Sequence, residues 1–200
     1  MNGDTPMQYK MLNDIAKMAA LKATSALSKM LDFPIGVDIF PIQTKILSDI
    51  NFIMGSGERI AGMSLPIVGP LPGVFLLIFK EAGAYSICDA MFHRDDGATQ
   101  KFGEMEVSAL TEVANIVVGN FLTSFAFPLK IDSLMHRAAH FCQDDFTSFM
   151  EETTSALDKK ITEGMVVEIA FHFQHVKIQG LAVFLFDEKE IAKIIDRVKV

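Results

Sequence analysis

Residues 73–91 read GVFLLIFKEAGAYSICDAM, and residues 180–198 read GLAVFLFDEKEIAKIIDRV. Each is an apolar run of strand length that passes directly into a stretch with short helical spacing. The two align without a gap, pairing Gly73 with Gly180, Phe79 with Phe186, Glu81 with Glu188, Ile87 with Ile194 and Asp89 with Asp196. A strand–helix unit that recurs in this way points to a chain built in two passes.

The regions upstream of the two units fit that reading. Long helical patterns open each pass, over roughly 7–31 and roughly 104–126, and they align with Ile15 on Val113 and Met18 on Ile116. Alternating or β-rich runs follow at 36–46, 59–68 and 165–178. Strands that follow one another with little helix between them favour antiparallel pairing, with the helices gathered on the faces of the sheet. The expectation is an α+β fold, internally duplicated and pseudo-two-fold, with an antiparallel sheet and long helices. One domain would span 1–200, made of halves 1–98 and 99–200, and the second half is longer between the aligned units.

With 200 residues, half of them hydrophobic and 22% charged, the chain can bury a sizeable core. Its net charge of -7, without a cluster of Lys and Arg, argues against a nucleic-acid partner. The start, MNGDTPMQYK, lacks the basic and apolar pattern of an export signal. The greasy stretch LPIVGPLPGVFLLIF (65–79) is too short to span a bilayer and is interrupted by three prolines, so no membrane insertion is expected. Cys88 and Cys142 form no CxxC pattern and read as reduced core thiols of a cytoplasmic protein.

The opening helix of the second half contains SALTEVANIVVGNFL (108–122). At about 100° per residue, Ser108, Glu112, Asn115 and Gly119 share a sector of roughly 60°. Leu110, Val113, Ala114, Val117 and Phe121 centre on the opposite side, the predicted core face. The four stripe residues therefore point outward, flanked by Ile116 and Val118. Glycine inside a helix costs about 1 kcal/mol against alanine, so Gly119 implies that something approaches closely there. Two readings fit: a docking surface, or an ordinary solvated face.

The pattern Ser108-x3-Glu112-x2-Asn115 on a long helix resembles the signature of the CheC/CheX/FliY chemotaxis phosphatases, with the chain CheC-like in length and duplicated layout. ATSALSKMLDFPIGVDIF (23–40) is similar to that family's passage from its first helix through a proline into a strand. The resemblance implies removal of phosphate from the phospho-aspartate of a CheY-type response-regulator receiver domain. It implies that Asn115 orients the attacking water and that Glu112 contacts the receiver's lysine, with Ser108 peripheral. No cofactor or metal of the chain's own is implied; the Mg²⁺ would be carried by the receiver. The CheD receptor deamidase is a second implied partner, and a non-catalytic adapter that binds a receiver or CheD is the alternative.

Two departures stand out. The aligned positions of the first helix hold Asp14 and Lys17, where the family commonly has Glu and Asn, so that second site is expected to be degenerate. Lysine cannot accept a hydrogen bond from water while it is cationic. The family's usual proline downstream of the asparagine has a near counterpart in Pro41. In the second half Met135, His136 and Arg137 stand there instead.

Other features weigh less. His136, His140 and Cys142 are metal-ligand types, but their spacing is not that of a zinc site, and no metal is expected. His172 and His175 would face opposite ways on a strand. GSGERIAG (55–62) lacks the GK[ST] ending of a phosphate loop, and HRDDGATQ (93–100) reads as a linker. QDDFTSFMEETTSALDKK (143–160) spaces Phe146, Phe149, Met150 and Leu157 as an amphipathic helix.

Overall fold

A computed structural model describes residues 7–32, 34–40, 43–46, 57–155, 163–173 and 176–185, with 193 and 196. The elements run α1 (Met7–Leu31), β1 (Ile35–Ile39), β2 (Gln43–Ile46), β3 (Arg59–Val68), β4 (Gly73–Lys80) and α2 (Glu81–Met91). They continue with α3 (Glu104–Ala126), β5 (Met135–His136), β6 (His140–Asp145), α4 (Phe146–Ser155), β7 (Glu163–Phe173) and β8 (Val176–Leu185). The strands form one antiparallel sheet in the order β1-β7-β8-β4-β3-β5, with β2 also on β7 and β6 also on β3. Both outer positions are thus filled by a strand in two pieces. The expected α+β class and antiparallel pairing are what the structure has.

The run in β4 is apolar throughout because both its faces are covered. Phe75, Leu77 and Phe79 face a core shared with α1, α2 and α3. Val74, Leu76 and Ile78 face the other way, onto Phe146, Phe149 and Met150 of α4. Asp145 caps α4, accepting from the Thr147 and Ser148 backbone N–H groups and from the Ser148 hydroxyl. Phe149 lies on Gly62 of β3, where a Cβ would sit 2.8 Å from the ring. On the opposite layer, α1 packs along α3, and the buried face of α1 carries Ala16, Ala19, Ala20 and Ala23. Small side chains at that seam let two long helices lie close together.

α3 is long and apolar enough to cross a membrane by length and composition. Its apolar face, with Leu110, Val113, Ala114, Val117 and Phe121, is buried in the core instead. Burial pushes the Cys88 thiol up to about 12 and the Cys142 thiol up to about 11. Both therefore stay protonated at neutral pH and are poor nucleophiles.

The linker read at 93–100 is an ordered corner. The buried Asp89 carboxylate accepts the backbone N–H groups of Gly97 and Thr99, each at 2.8 Å. His93 ends α2 in the left-handed region, φ 51°, while Arg94 N–H reaches back to the Asp89 carbonyl. That conformation favours glycine, so His93→Gly is expected to stabilise the fold by about 0.5–1 kcal/mol, read as a higher urea midpoint.

Two strand expectations need correction. The stretch 36–46 is two pieces, β1 and β2, pairing with successive parts of β7. The stretch 165–178 is a hairpin, in which Phe173 pairs with Val176 and the chain reverses. Its alternation continues across the reversal, and periodicity alone carries no mark of direction. Leu157, His175, Ser56 and the closing unit beyond Leu185 lie outside the described residues, except that Lys193 and Asp196 are helical.

Candidate functional site

Helix α3 carries the candidate site, and its start is well anchored. Glu106 reaches back to accept the Gly103 N–H at 3.0 Å, and its other oxygen takes Arg94 at 2.9 Å. The hydrogen bond from Arg94 holds the Glu106 carboxyl below the usual carboxylate range. Glu104 and Glu106 also place negative charge at the positive end of the helix dipole. At the other end Lys130 takes the left-handed position, φ 52°, and the Ile131 and Lys130 N–H groups close onto Ala126 and Phe127.

Between these anchors Ser108, Glu112, Asn115 and Gly119 lie along one edge, as the spacing predicts. Ser108 and Glu112 are exposed, whereas Asn115 and Gly119 are half-buried. Asn115 thus departs from the outward placement of the helical wheel, and Val118, expected as a shoulder, is fully buried. A helix wedged against both α1 and the sheet buries more of its circumference than one lying on a single surface.

Asn115 has a further peculiarity: its Oδ1 is buried and has no hydrogen-bond partner among the described residues. A buried acceptor left unpaired costs about 1–3 kcal/mol. No hydrogen bond to Oδ1 has to break when the carboxamide turns outward. The group is therefore poised to accept a hydrogen from something brought to it.

Gly119 admits a neighbour, and that neighbour belongs to the same chain. A Cβ on Gly119 would lie 3.3 Å from Nε2 of His136. His136 is held there from the sheet: it pairs with Ile67 of β3, and the next residue, Arg137, donates its N–H to the Pro66 carbonyl at 2.8 Å. The His136 Nδ1 lies 2.9 Å from the Arg137 carbonyl oxygen, an arrangement in which the protonated nitrogen donates. The segment that lacks the expected proline is thus laid directly against the site edge.

Asp14 and Lys17 are both exposed on α1, with the exposed Met11, Met18 and Leu21 nearby on that helix. The structure does not join them to the α3 edge. His136 faces α3, whereas Cys142 packs toward the α4 layer and His140 shares its alternation, so the three donor types do not converge. Among the described residues no group of three or more His, Cys, Asp or Glu could hold a metal ion.

One feature of the site escaped the sequence. An open groove of about 440 Å³ adjoins Ser108 and Glu112, formed with Met91 and Phe92 from the end of α2 and Glu104, Met105 and Ala109 from the start of α3. No spacing rule links residues 91–92 to 104–112. Only the turn at 93–103 brings them together.

Comparison with known proteins bears on the same edge. The CheC-like family matches residues 105–132, which contain Ser108, Glu112, Asn115 and Gly119. The CheY-P phosphatase CheC of Bacillus subtilis is 26% identical over 134 residues, covering 65% of this chain and 64% of that protein. The match therefore spans less than two thirds of that relative. The crystal structure of Thermotoga maritima FliY superposes with a TM-score of 0.80 at 18% identity, covering 100% of this chain and 98% of that one. CheX in the CheX–CheY–BeF3–Mg²⁺ complex of Borrelia burgdorferi gives 0.55 at 17% identity, with 86% and 97% covered. Motif segment, relative and fold point the same way: the chain is similar to the CheC/CheX/FliY proteins.

Proposed function

We propose that this chain is a CheC-like phosphatase that hydrolyses the phospho-aspartate of a CheY-type receiver domain, in the cytoplasm, through one site at Glu112 and Asn115. The observation that carries the reading is the unpartnered Asn115 Oδ1 on the same helix edge as an exposed carboxylate. A relative named CheY-P phosphatase and a CheX solved with CheY support the substrate class.

The chemistry asks little of the enzyme. Water attacks phosphorus, the bond from phosphorus to the aspartyl oxygen breaks, and its electron pair returns to the receiver's carboxylate. Inorganic phosphate leaves with the water's oxygen and its two protons. The receiver would supply Mg²⁺ with its own substrate group. A rotated Asn115 accepts one hydrogen of the water through Oδ1 and aims its lone pair at phosphorus, a gain from orientation. The carboxamide is neutral and does not repel the phosphoryl oxygens. Glu112, exposed one turn before, takes a cation of the receiver and sets the angle of docking. Neither step needs a nucleophile or metal from this chain.

A second reading, an adapter that binds a receiver or CheD without hydrolysis, draws on Asp14 and Lys17 in the degenerate position and on His136 in place of the expected proline. Decay of a phosphorylated receiver, with and without the chain, separates the two readings. Faster decay supports the phosphatase; a complex with unchanged decay supports the adapter. Glu112→Ala is expected to weaken receiver binding about 10-fold, the size of one lost charge-assisted hydrogen bond, in a calorimetric titration. Duplication of the two halves remains part of the proposal, supported by the recurring order of a long helix, a two-piece outer strand and two long strands.

A further inference from the structure

We infer that the groove on the N-terminal side of Glu112 is the second part of the receiver's footprint, taking an apolar side chain flanked by a cation. The inference rests on the receiver reading above and extends it to a surface that the motif does not include.

Glu112 and Asn115 alone are too small to specify a partner. A specific interface covers about 800 Å² on each side. The rest of the contact must lie to one end of the edge or the other. Toward the C-terminus the edge meets His136 over Gly119, so this chain already occupies that ground. Toward the N-terminus it opens into the groove, whose wall includes Ser108 and Glu112 themselves. The docking edge and the groove are one continuous surface.

The lining says what would fit. Met91, Phe92, Met105 and Ala109 supply an apolar floor, and Met105 is 60% exposed. Methionine adapts its shape to an incoming side chain. The carboxylates of Glu104 and Glu112 border that floor. The nearby Arg94 does not offset them, since it bonds Glu106 at 2.9 Å and Thr99 at 3.0 Å and lies 4.6 Å over the Phe92 ring. An apolar floor edged by two carboxylates complements an apolar side chain beside a lysine or arginine, and excludes an acidic surface. The groove is also preorganised, because the end of α2 and the start of α3 are both held by backbone hydrogen bonds.

The test uses the full chain and a CheY-type receiver, phosphorylated for kinetics and capped with beryllofluoride for binding. Met105→Glu and Glu104→Lys alter exposed side chains, and unchanged thermal melting would show that the fold survives. Each is expected to raise KM and Kd about 10-fold while kcat stays within about twofold, the pattern of lost uniform binding. Met105→Leu should restore parental values. If KM and Kd stay within about twofold in both variants while Asn115→Ala still loses turnover, the groove inference is overturned and the phosphatase reading stands. If Asn115→Ala changes nothing but Met105→Glu weakens binding, the groove stands and the phosphatase reading falls. A parental chain that binds no receiver overturns both.

Discussion

Asn115→Ala is expected to cut the acceleration of receiver dephosphorylation about 10²-fold, the loss seen when one preorganised group is removed from a transition state. The expectation follows from what Asn115 lacks. Its oxygen gives up no hydrogen bond on turning outward, so the cost of presenting it to water is small. Alanine removes both the acceptor and the donor of the carboxamide and leaves Glu112 untouched one turn away. Binding should therefore hold within about twofold while kcat falls, the pattern of an interaction made only in the transition state. Asn115→Asp is an instructive companion: it restores an acceptor but adds a negative charge facing phosphoryl oxygens, and should recover little. Single-turnover decay of labelled receiver phosphate reads both variants. A decay rate for Asn115→Ala equal to that of the parent would sink the proposed role.

Phe75→Ala is expected to destabilise the fold by about 4 kcal/mol. Phe75 is 1% exposed on β4, and its ring meets Phe121 edge-on at 5.5 Å and Phe184 at 4.6 Å. Phe121 in turn stacks on Phe125 at 5.7 Å and touches Phe184 at 5.3 Å. Truncation would open a cavity in the middle of this aromatic group, which the two long strands and α3 cannot close by small shifts. Phe121 lies two residues past Gly119, so the loss also loosens the helix that carries the proposed site. Urea unfolding should show the midpoint fall with the slope unchanged. Phe75→Leu, which keeps most of the volume, should recover more than half of the loss. A change below about 1 kcal/mol for Phe75→Ala would mean that the aromatic group is not packed as described.

The elements with unbroken local signals were legible in advance. GVFLLIFK is β4 and EAGAYSICDAM is α2, because one is apolar at nearly every position and the other regains helical spacing at Glu81. The ends of α1 and α3 fall where the helical pattern stops, at Leu31 before Pro34 and at Ala126 before Pro128. What was not legible depends on contacts between distant residues. Gly119 announced a close approach, but nothing in residues 108–122 could say that His136 makes it. The helical wheel sorted the core face of α3 correctly and missed the depth of Asn115, which is set by neighbours on either side of the helix. The hairpin at Phe173–Val176 looks like one strand in the sequence, since its alternation continues through the reversal.

The pairing of the sheet also governs how the chain comes into being. β1 has its partner in β7, with Ile35 opposite Phe173, and β3 is bordered by β6, with Arg59 opposite Asp145. Synthesis at about 5–20 residues per second leaves β1 waiting on the order of ten seconds before its partner exists. During that time the hairpin of β3 and β4 stands with both edges open, and one of them is β4, apolar at nearly every position. Such edges invite pairing with another nascent chain. Pairings this distant in sequence also make folding slow. Crowded synthesis is therefore expected to lower the yield of folded protein.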